Sequence, residues 1–374
     1  MKTTFGAGAA LLLTTTSAYA LGLDRSGQTI GALFEAGTYA ELSFGYVMPE
    51  ADGTDIAAQP TGTVTEDYLQ FGFAYKQQIN DQVSLALIFD QPYGADVSYP
   101  ATSPVLGGTE ASVDSNAISM IARYDFGNGF SAHGGVRYQT LEADVTFGGL
   151  AYGGLNGYNA AFDRGAEWGY LAGMAYERPD IALRVALTYF SEVDYALDTV
   201  ERIGAAIVNP GSTTDITTPQ AINLDFQTGI AADTLLFGQI RWAEYSEARV
   251  SPDFFGPTAP ELDGSPGSIT ALDDGFAYSI GVGRRFSDQF SGSVSIGYEP
   301  EGDDDLVSPL APTNGQYSLS VGGAYTMDKW ELSGGIRYVW LGDAQPETGT
   351  PDVARADFTD NSALAIGLKV AYTY

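Results

Sequence analysis

The sequence predicts an all-β chain: a transmembrane antiparallel β-barrel of about fourteen strands with a short N-terminal plug inside it. Three observations lead there. Apolar and polar residues alternate with period two through segment after segment, the pattern of a strand with one greasy face. No run of 18 apolar residues occurs past the N-terminus, which excludes spanning helices. Short turns and long loops take turns along the chain, the layout of a barrel whose two rims differ.

The chain has 374 residues, with 46 Gly, 23 Tyr, 19 Phe and no Cys. Only 17% of residues are charged, and 47 acidic residues face 17 basic ones, a formal net charge of −30. Nucleic acid demands a basic surface, so that charge argues against it as a partner. A mean hydropathy near zero without long apolar runs suits strands whose two faces cancel.

Residues 1–20 read as a signal peptide, with Lys2 as the positive start, Phe5 to Leu13 as the apolar core and Ala18-Tyr19-Ala20 as the cleavage site. The expected mature chain begins at Leu21. Residues 21–37 are not strand-like. Gly22, Gly27, Gly31 and Gly37 interrupt them, and Leu33 and Phe34 are poor choices for a tail in water. They are expected to lie inside the barrel mouth as a hatch, with 38–374 forming the barrel.

Strands are expected near 38–48, 67–77, 82–92, 113–124, 129–145, 166–177, 181–196, 221–230, 234–246, 275–286, 289–299, 316–326, 329–341 and 362–374. The last is typical. Leu364, Ile366, Leu368, Val370 and Tyr372 share one parity, and Ala365, Gly367, Lys369 and Ala371 the other. At roughly 3.3 Å per residue such a strand spans about 36 Å, enough to cross a membrane at a tilt. It should pair with 38–48 to close the sheet, and its terminal aromatic, Tyr374, fits an assembly signal read by the outer-membrane insertion machinery. Short turns fall at 79–81, 125–129, 178–180, 231–233, 287–288 and 327–329, and long loops at 49–66, 93–112, 146–165, 197–220, 247–274, 300–315 and 342–361. A soluble β-sandwich would leave the apolar face of every strand and the alternation of short and long connections unexplained.

If the apolar parity faces lipid, the other faces the lumen. It carries Lys76, Arg123, Arg137, Arg184, Arg241, Arg337 and Lys369 with Glu41, Asp90, His133, Glu192 and Glu331. A salt-bridged wall explains most of these. The functional expectation is that Arg137, Arg184 or Arg241 receives an anionic head group. The same parity carries Leu171, Phe190 and Phe237, which suit a greasy cargo or a plug better than a water-filled pore. Loop 146–165 holds Phe147, Leu150, Tyr152, Leu155, Tyr158 and Phe162, and loop 197–220 adds Ile203 and Ile207. Together they are expected to offer an apolar groove to a hydrophobic ligand.

Several stretches carry a family likeness: Ile79-Asn80-Asp81-Gln82 closing in Gln91-Pro92-Tyr93-Gly94-Ala95, Trp168-Gly169 through Tyr176-Glu177 with Ala186-Leu187-Thr188-Tyr189-Phe190-Ser191-Glu192-Val193, and Gly322-Gly323-Ala324-Tyr325-Thr326 with its hairpin into Tyr338. In order and rhythm the chain resembles the FadL family of outer-membrane transporters for long-chain fatty acids and other hydrophobic compounds. The resemblance implies fourteen strands, an N-terminal hatch, an outer groove on the third and fourth long loops, a deeper pocket where cations meet a carboxylate, and a sideways exit through a gap in the wall. The chain departs from the family in lacking an Asn-Pro-Ala hatch motif; Asn209-Pro210 lies in an expected loop, and the hatch is short.

The expected function is passive uptake of hydrophobic molecules such as long-chain fatty acids across the outer membrane of a Gram-negative bacterium. Membrane lipids and the assembly machinery are its expected partners, with neither cofactor nor metal. The alternative is a general or substrate-selective porin for small polar solutes. An enzyme is not expected: the lone His133 has Ser131 on the same face, but two residues along a strand lie about 7 Å apart, too far for a nucleophile and its base. The acidic run Asp303–Asp305 reads as a solvated loop.

Overall fold

The computed structural model describes residues 23–374 except Ala271 and Asp303. The expected signal peptide, the start at Leu21 and Asp303 of the acidic run therefore lie outside the described residues. One sheet holds seventeen strands: β1 Tyr39–Glu50, β2 Tyr68–Gln78, β3 Val83–Asp90, β4 Gly94–Ser98, β5 Glu110–Asp125, β6 Phe130–Phe147, β7 Tyr158–Arg178, β8 Leu183–Phe190, β9 Val193–Ile203, β10 Ala206–Thr218, β11 Ala221–Ala231, β12 Thr234–Ala243, β13 Gly275–Arg285, β14 Phe290–Glu299, β15 Gln316–Met327, β16 Trp330–Leu341 and β17 Ser362–Thr373. Three of the breaks between them, at 91–93, 191–192 and 219–220, interrupt a strand that then continues, so fourteen strands circle the barrel.

Closure is complete. β1 pairs with β17 from Tyr39↔Thr373 to Glu50↔Ser362, and with β2 from Tyr39↔Lys76 to Val47↔Tyr68. The Tyr374 amide bonds Thr38 O at 2.9 Å beyond the last pair. The first and last strands thus leave no open sheet edge for another chain to extend.

Alternation sorts the side chains as expected. Phe44, Met120, Val136, Tyr170, Val294, Ile296, Val321 and Leu368 stand exposed on the outer face, while Val47, Ile121, Leu171, Phe190 and Val339 are buried within. Aromatics line both rims. Trp330, Tyr372 and Tyr374 stack edge to face at the short-turn end, and Tyr278, Tyr298 and Tyr317 stack at the other, as interfacial girdles do.

The expected loops 146–165 and 197–220 are mostly strand. Pairing of β6 with β7 runs on to Phe147↔Tyr158, β9 and β10 form a hairpin, and Thr199 to Ile203 pair with Tyr158 to Phe162. Only 148–157 and 204–205 connect them. Alternation continues past the expected strand ends at 145 and 196 because these strands bury one face against other loops. Their core holds Val105, Leu106, Phe147, Tyr158, Phe162, Leu197, Phe255 and Phe358, an apolar cap over the outer mouth.

The parity assignment makes a testable contrast between neighbours. Val294→Arg places a charge in lipid and should destabilise the barrel by about 2–4 kcal/mol, whereas Ser293→Arg points into the lumen and should cost much less. Urea unfolding from lipid vesicles distinguishes them, and equal losses would contradict the assignment.

Candidate functional site

Residues 23–37 lie against the inward-facing side chains. A short bridge pairs Asp24 with Tyr93, with Arg25 N bonding Pro92 O at 2.8 Å and Gly94 N bonding Leu23 O at 2.9 Å. Asp24 then meets Arg241 in a fully buried bidentate pair, at 2.5 and 2.9 Å. Arg241 also donates to Gln28 and Asn223, and Asn223 donates to Gly27 O at 2.9 Å. Such a pair repays desolvation only when every remaining donor and acceptor is met, and here Gln28 and Asn223 help to meet them. Further along, Leu33 and Phe34 pack with Ile88, Ile121, Leu171 and Phe190. The guanidinium groups of Arg123 and Arg184 each sit 4.9 Å from the Phe34 ring. Lys76 holds the end of the segment through Glu35 O and Gly37 O, both at 2.8 Å.

The segment fills one side of the lumen. The facing wall, on β13 to β17, β1 and β2, carries Gly283, Ser291, Ser333, Gly335, Gly367, Ser43 and Gly72 on its inner parity. Small side chains there leave room for a cavity of about 760 Å³, lined in part by Phe34, Glu35, Ile88, Arg184, Gly335 and Lys369. Burial pushes the Glu35 carboxyl up to about 7, against the pull of Lys369 and Arg184.

The cavity reaches a break in the barrel wall. Pairing of β2 with β3 stops at Phe73↔Phe89. Pro92 has no N–H to continue the ladder, so residues 69–72 of β2 lack a strand neighbour on that side. The Gln91 side chain takes over, accepting the Phe71 N–H at 2.8 Å. Pairing resumes above at Thr65↔Val97. Gln70, Phe71, Gly72, Phe89 and Asp90 line both the break and the cavity, and Phe44, Phe71 and Phe89 form an aromatic rim with ring centroids 5.1 and 5.9 Å apart.

Residues 37–374 match the sequence profile of the family described as outer membrane protein transport protein (OMPP1/FadL/TodX). The chain belongs to this family. It is a transport protein of the Gram-negative outer membrane. Among solved structures it is similar to a FadL homologue of Pseudomonas aeruginosa (14% identity over 91% of each chain, TM-score 0.71). It is also similar to the Pseudomonas putida toluene transporter TodX (12% identity over 96% of each chain, TM-score 0.63) and to the Ralstonia pickettii toluene transporter TbuX (12% identity over 91% of this chain and 90% of that one, TM-score 0.60). No curated protein matches the chain.

Within this FadL-type barrel the expected site residues fall into distinct settings. Of the three cations, Arg241 is taken by Asp24, and Arg137 faces Asp90 at 3.3 Å and the Phe190 ring at 5.8 Å. Arg184 lines the cavity and makes no ion pair among the described residues. Leu171 and Phe190 pack against the N-terminal segment. Phe237 sits over Gly281, where a Cβ would come 2.6 Å from its ring. Phe147, Tyr158 and Phe162 are buried in the cap, Tyr152, Leu155 and Ile203 pack at its edge, and Leu150 and Ile207 are exposed. His133 bonds Thr188 at 3.0 Å and Ser131 accepts from Arg123 at 3.0 Å, so the two do not pair. Sequence reasoning missed Asp24, Gln28 and the wall break. Pro92 inside an apparent strand was the available signal for the last.

Asp24→Ala leaves Arg241 buried without its carboxylate, at a cost of about 3–5 kcal/mol. We expect much faster hydrogen exchange across 23–34 with barrel amides unchanged. Protection equal to wild type would show that the pair does not anchor the segment.

Proposed function

We propose that the chain carries hydrophobic molecules, long-chain fatty acids among them, passively inward across the outer membrane. The supporting observation is the continuity of the 760 Å³ cavity with a wall break rimmed by Phe44, Phe71 and Phe89. A route for polar solutes gains nothing by opening sideways onto hydrocarbon. For an acyl chain the same opening lets apolar surface pass from lumen to bilayer without meeting water, which costs about 25 cal/mol per Å² exposed. Two similar solved structures are a toluene transporter and a monoaromatic hydrocarbon channel, with apolar cargo of the same kind.

Each part of the route has a role in this reading. The cap residues Phe147, Leu150, Tyr152, Leu155, Tyr158, Phe162, Ile203 and Ile207 capture the apolar chain from outside. Residues 23–37 act as a hatch that shapes the passage. Arg184 receives the carboxylate by a charge-assisted bond, because Arg137 and Arg241 already hold Asp90 and Asp24. The acyl tail then points to the wall break and leaves through it. Transfer down a gradient makes and breaks no covalent bond. Tyr374 serves earlier, as the mark by which the assembly machinery inserts the barrel.

Losing one charge-assisted bond is worth at least about 1.5 kcal/mol, roughly tenfold. Arg184→Met should therefore slow uptake of labelled oleate about tenfold in cells and leave toluene uptake unchanged. Oleate uptake equal to wild type would remove Arg184 from the route. Steady single-channel conductance with no oleate uptake by wild type would favour the porin instead.

A further inference from the structure

The cap contains an occupant that the chain supplies itself. Between β12 and β13 the long connection dips inward at residues 252–259. There Phe255 enters the aromatic cluster, with ring centroids 5.5 Å from Phe147 and 5.4 Å from Tyr158, and Phe254 stacks on Tyr158 at 6.3 Å. Phe147 and Tyr158 are two of the side chains that the sequence marks for ligand capture. The connection thus places two phenyl rings where an apolar ligand would bind.

A single buried carboxylate holds it there. Glu201, on β9, is fully buried in the cap. It accepts the Phe254 amide at 2.9 Å, the Phe255 amide at 3.0 Å, the Tyr158 hydroxyl at 2.7 Å and the Asn209 side-chain amide at 3.2 Å. Two of these donors belong to the inserted turn and two to the wall beneath it. A buried charge is costly unless its bonds are complete, so the turn and the carboxylate depend on each other. When the turn leaves, Glu201 loses two amide donors and is opened to water, which can replace them. The closed arrangement is held by hydrogen bonds that hydration could replace in an open one. The turn is tied to itself: Gly256 N bonds Pro252 O at 2.8 Å and Gly267 N bonds Gly256 O at 2.9 Å, so residues 252–267 form a compact unit.

We propose that the Phe254–Phe255 turn is a lid that occludes the apolar capture site, latched by Glu201, and that a hydrophobic ligand binds by displacing it. The inference rests on the transport reading above and specifies how its outer site is controlled. Ligand and lid compete for the same faces of Phe147 and Tyr158. Apparent affinity is then set by the fraction of molecules with the lid open. Glu201 is a positioning residue in this scheme: it touches the turn, never the cargo.

The test uses the full chain in lipid nanodiscs. The sequence has no Cys, so spin labels at Gly211→Cys and Leu262→Cys report on the lid alone, both positions being exposed. In wild type the label separation should be narrow without ligand and gain a longer population on adding oleate. Glu201→Gln turns one acceptor oxygen into an NH2 group facing N–H donors, and should show the longer population without oleate. Phe254→Ala with Phe255→Ala removes the competitor and should bind oleate about tenfold more tightly or better, as for an open fraction of about a tenth or less in wild type. An unchanged separation at saturating oleate, in a protein that transports oleate, overturns the lid. Equal or weaker oleate binding in the double Ala variant also overturns it, since the rings would then not compete with the ligand or would belong to the site. If wild type transports no oleate, the fatty-acid reading fails, and the lid as stated for that ligand falls with it.

Discussion

Hydrocarbon offers no hydrogen bonds, so every backbone N–H and C=O of a membrane-spanning chain must find its partner within the protein. The rest of this structure depends on that constraint. It forces fourteen strands to close through β1 and β17, and it makes any break in the wall a place that must be patched. The break beside β2 is patched twice. Gln91 bonds the Phe71 N–H from the strand side, and the backbone of Leu23 and Arg25 meets Gly94 and Pro92 from within. A second break is repaired in the same way, where Ser191 exchanges main-chain and side-chain bonds with Tyr170. An opening in the wall is therefore affordable only with dedicated residues around it, which marks it as a built feature.

The N-terminal segment links that opening to the lumen. By pairing with residues 92–94 and burying Asp24 on Arg241, it commits one side of the barrel to packing. The other side, lined by Gly and Ser, keeps the space. Bulk and emptiness are thus divided between two walls, and the cavity runs along the empty one from the short turns at 179–182, 231–233 and 287–289 to the aromatic rim. Charge is divided likewise. Most inward cations are matched to nearby carboxylates, as in Arg123 with Glu177 and Lys369 with Glu41. Arg184, against the Phe34 ring, faces the space.

The barrel was legible in the sequence because its physics is periodic. A strand with lipid on one side and lumen on the other must alternate, and so the ends of strands such as 290–299 and 330–341 could be read to within a residue or so. Legibility failed where the environment changed without changing the period. Tyr158, Ala160 and Phe162 alternate in the cap as strictly as the rest of their strand does in the barrel wall, but they face other loops, so the strand looked like a loop rich in aromatics. Long-range pairing was hidden for another reason. Nothing local to Asp24 announces Arg241, which lies 217 residues away, nor does Glu201 announce Phe254 and Phe255. Such bonds arise from closure of the sheet, which brings distant strands together. The assignment of Arg137 and Arg241 as candidate head-group contacts used parity alone, and parity cannot tell a cation that waits for a ligand from one that already holds a side chain.

The central claim is that an apolar chain runs from the Arg184 side of the cavity to the break between β2 and β3. The most direct measurement is the position of a bromine atom in crystals grown with a fatty acid brominated at the end of its chain, located by anomalous scattering. Bromine is expected among Phe71, Gly72 and Phe89, with the carboxylate end near Arg184. Bromine elsewhere on the barrel axis, or a lumen that holds only water at saturating fatty acid, would contradict it.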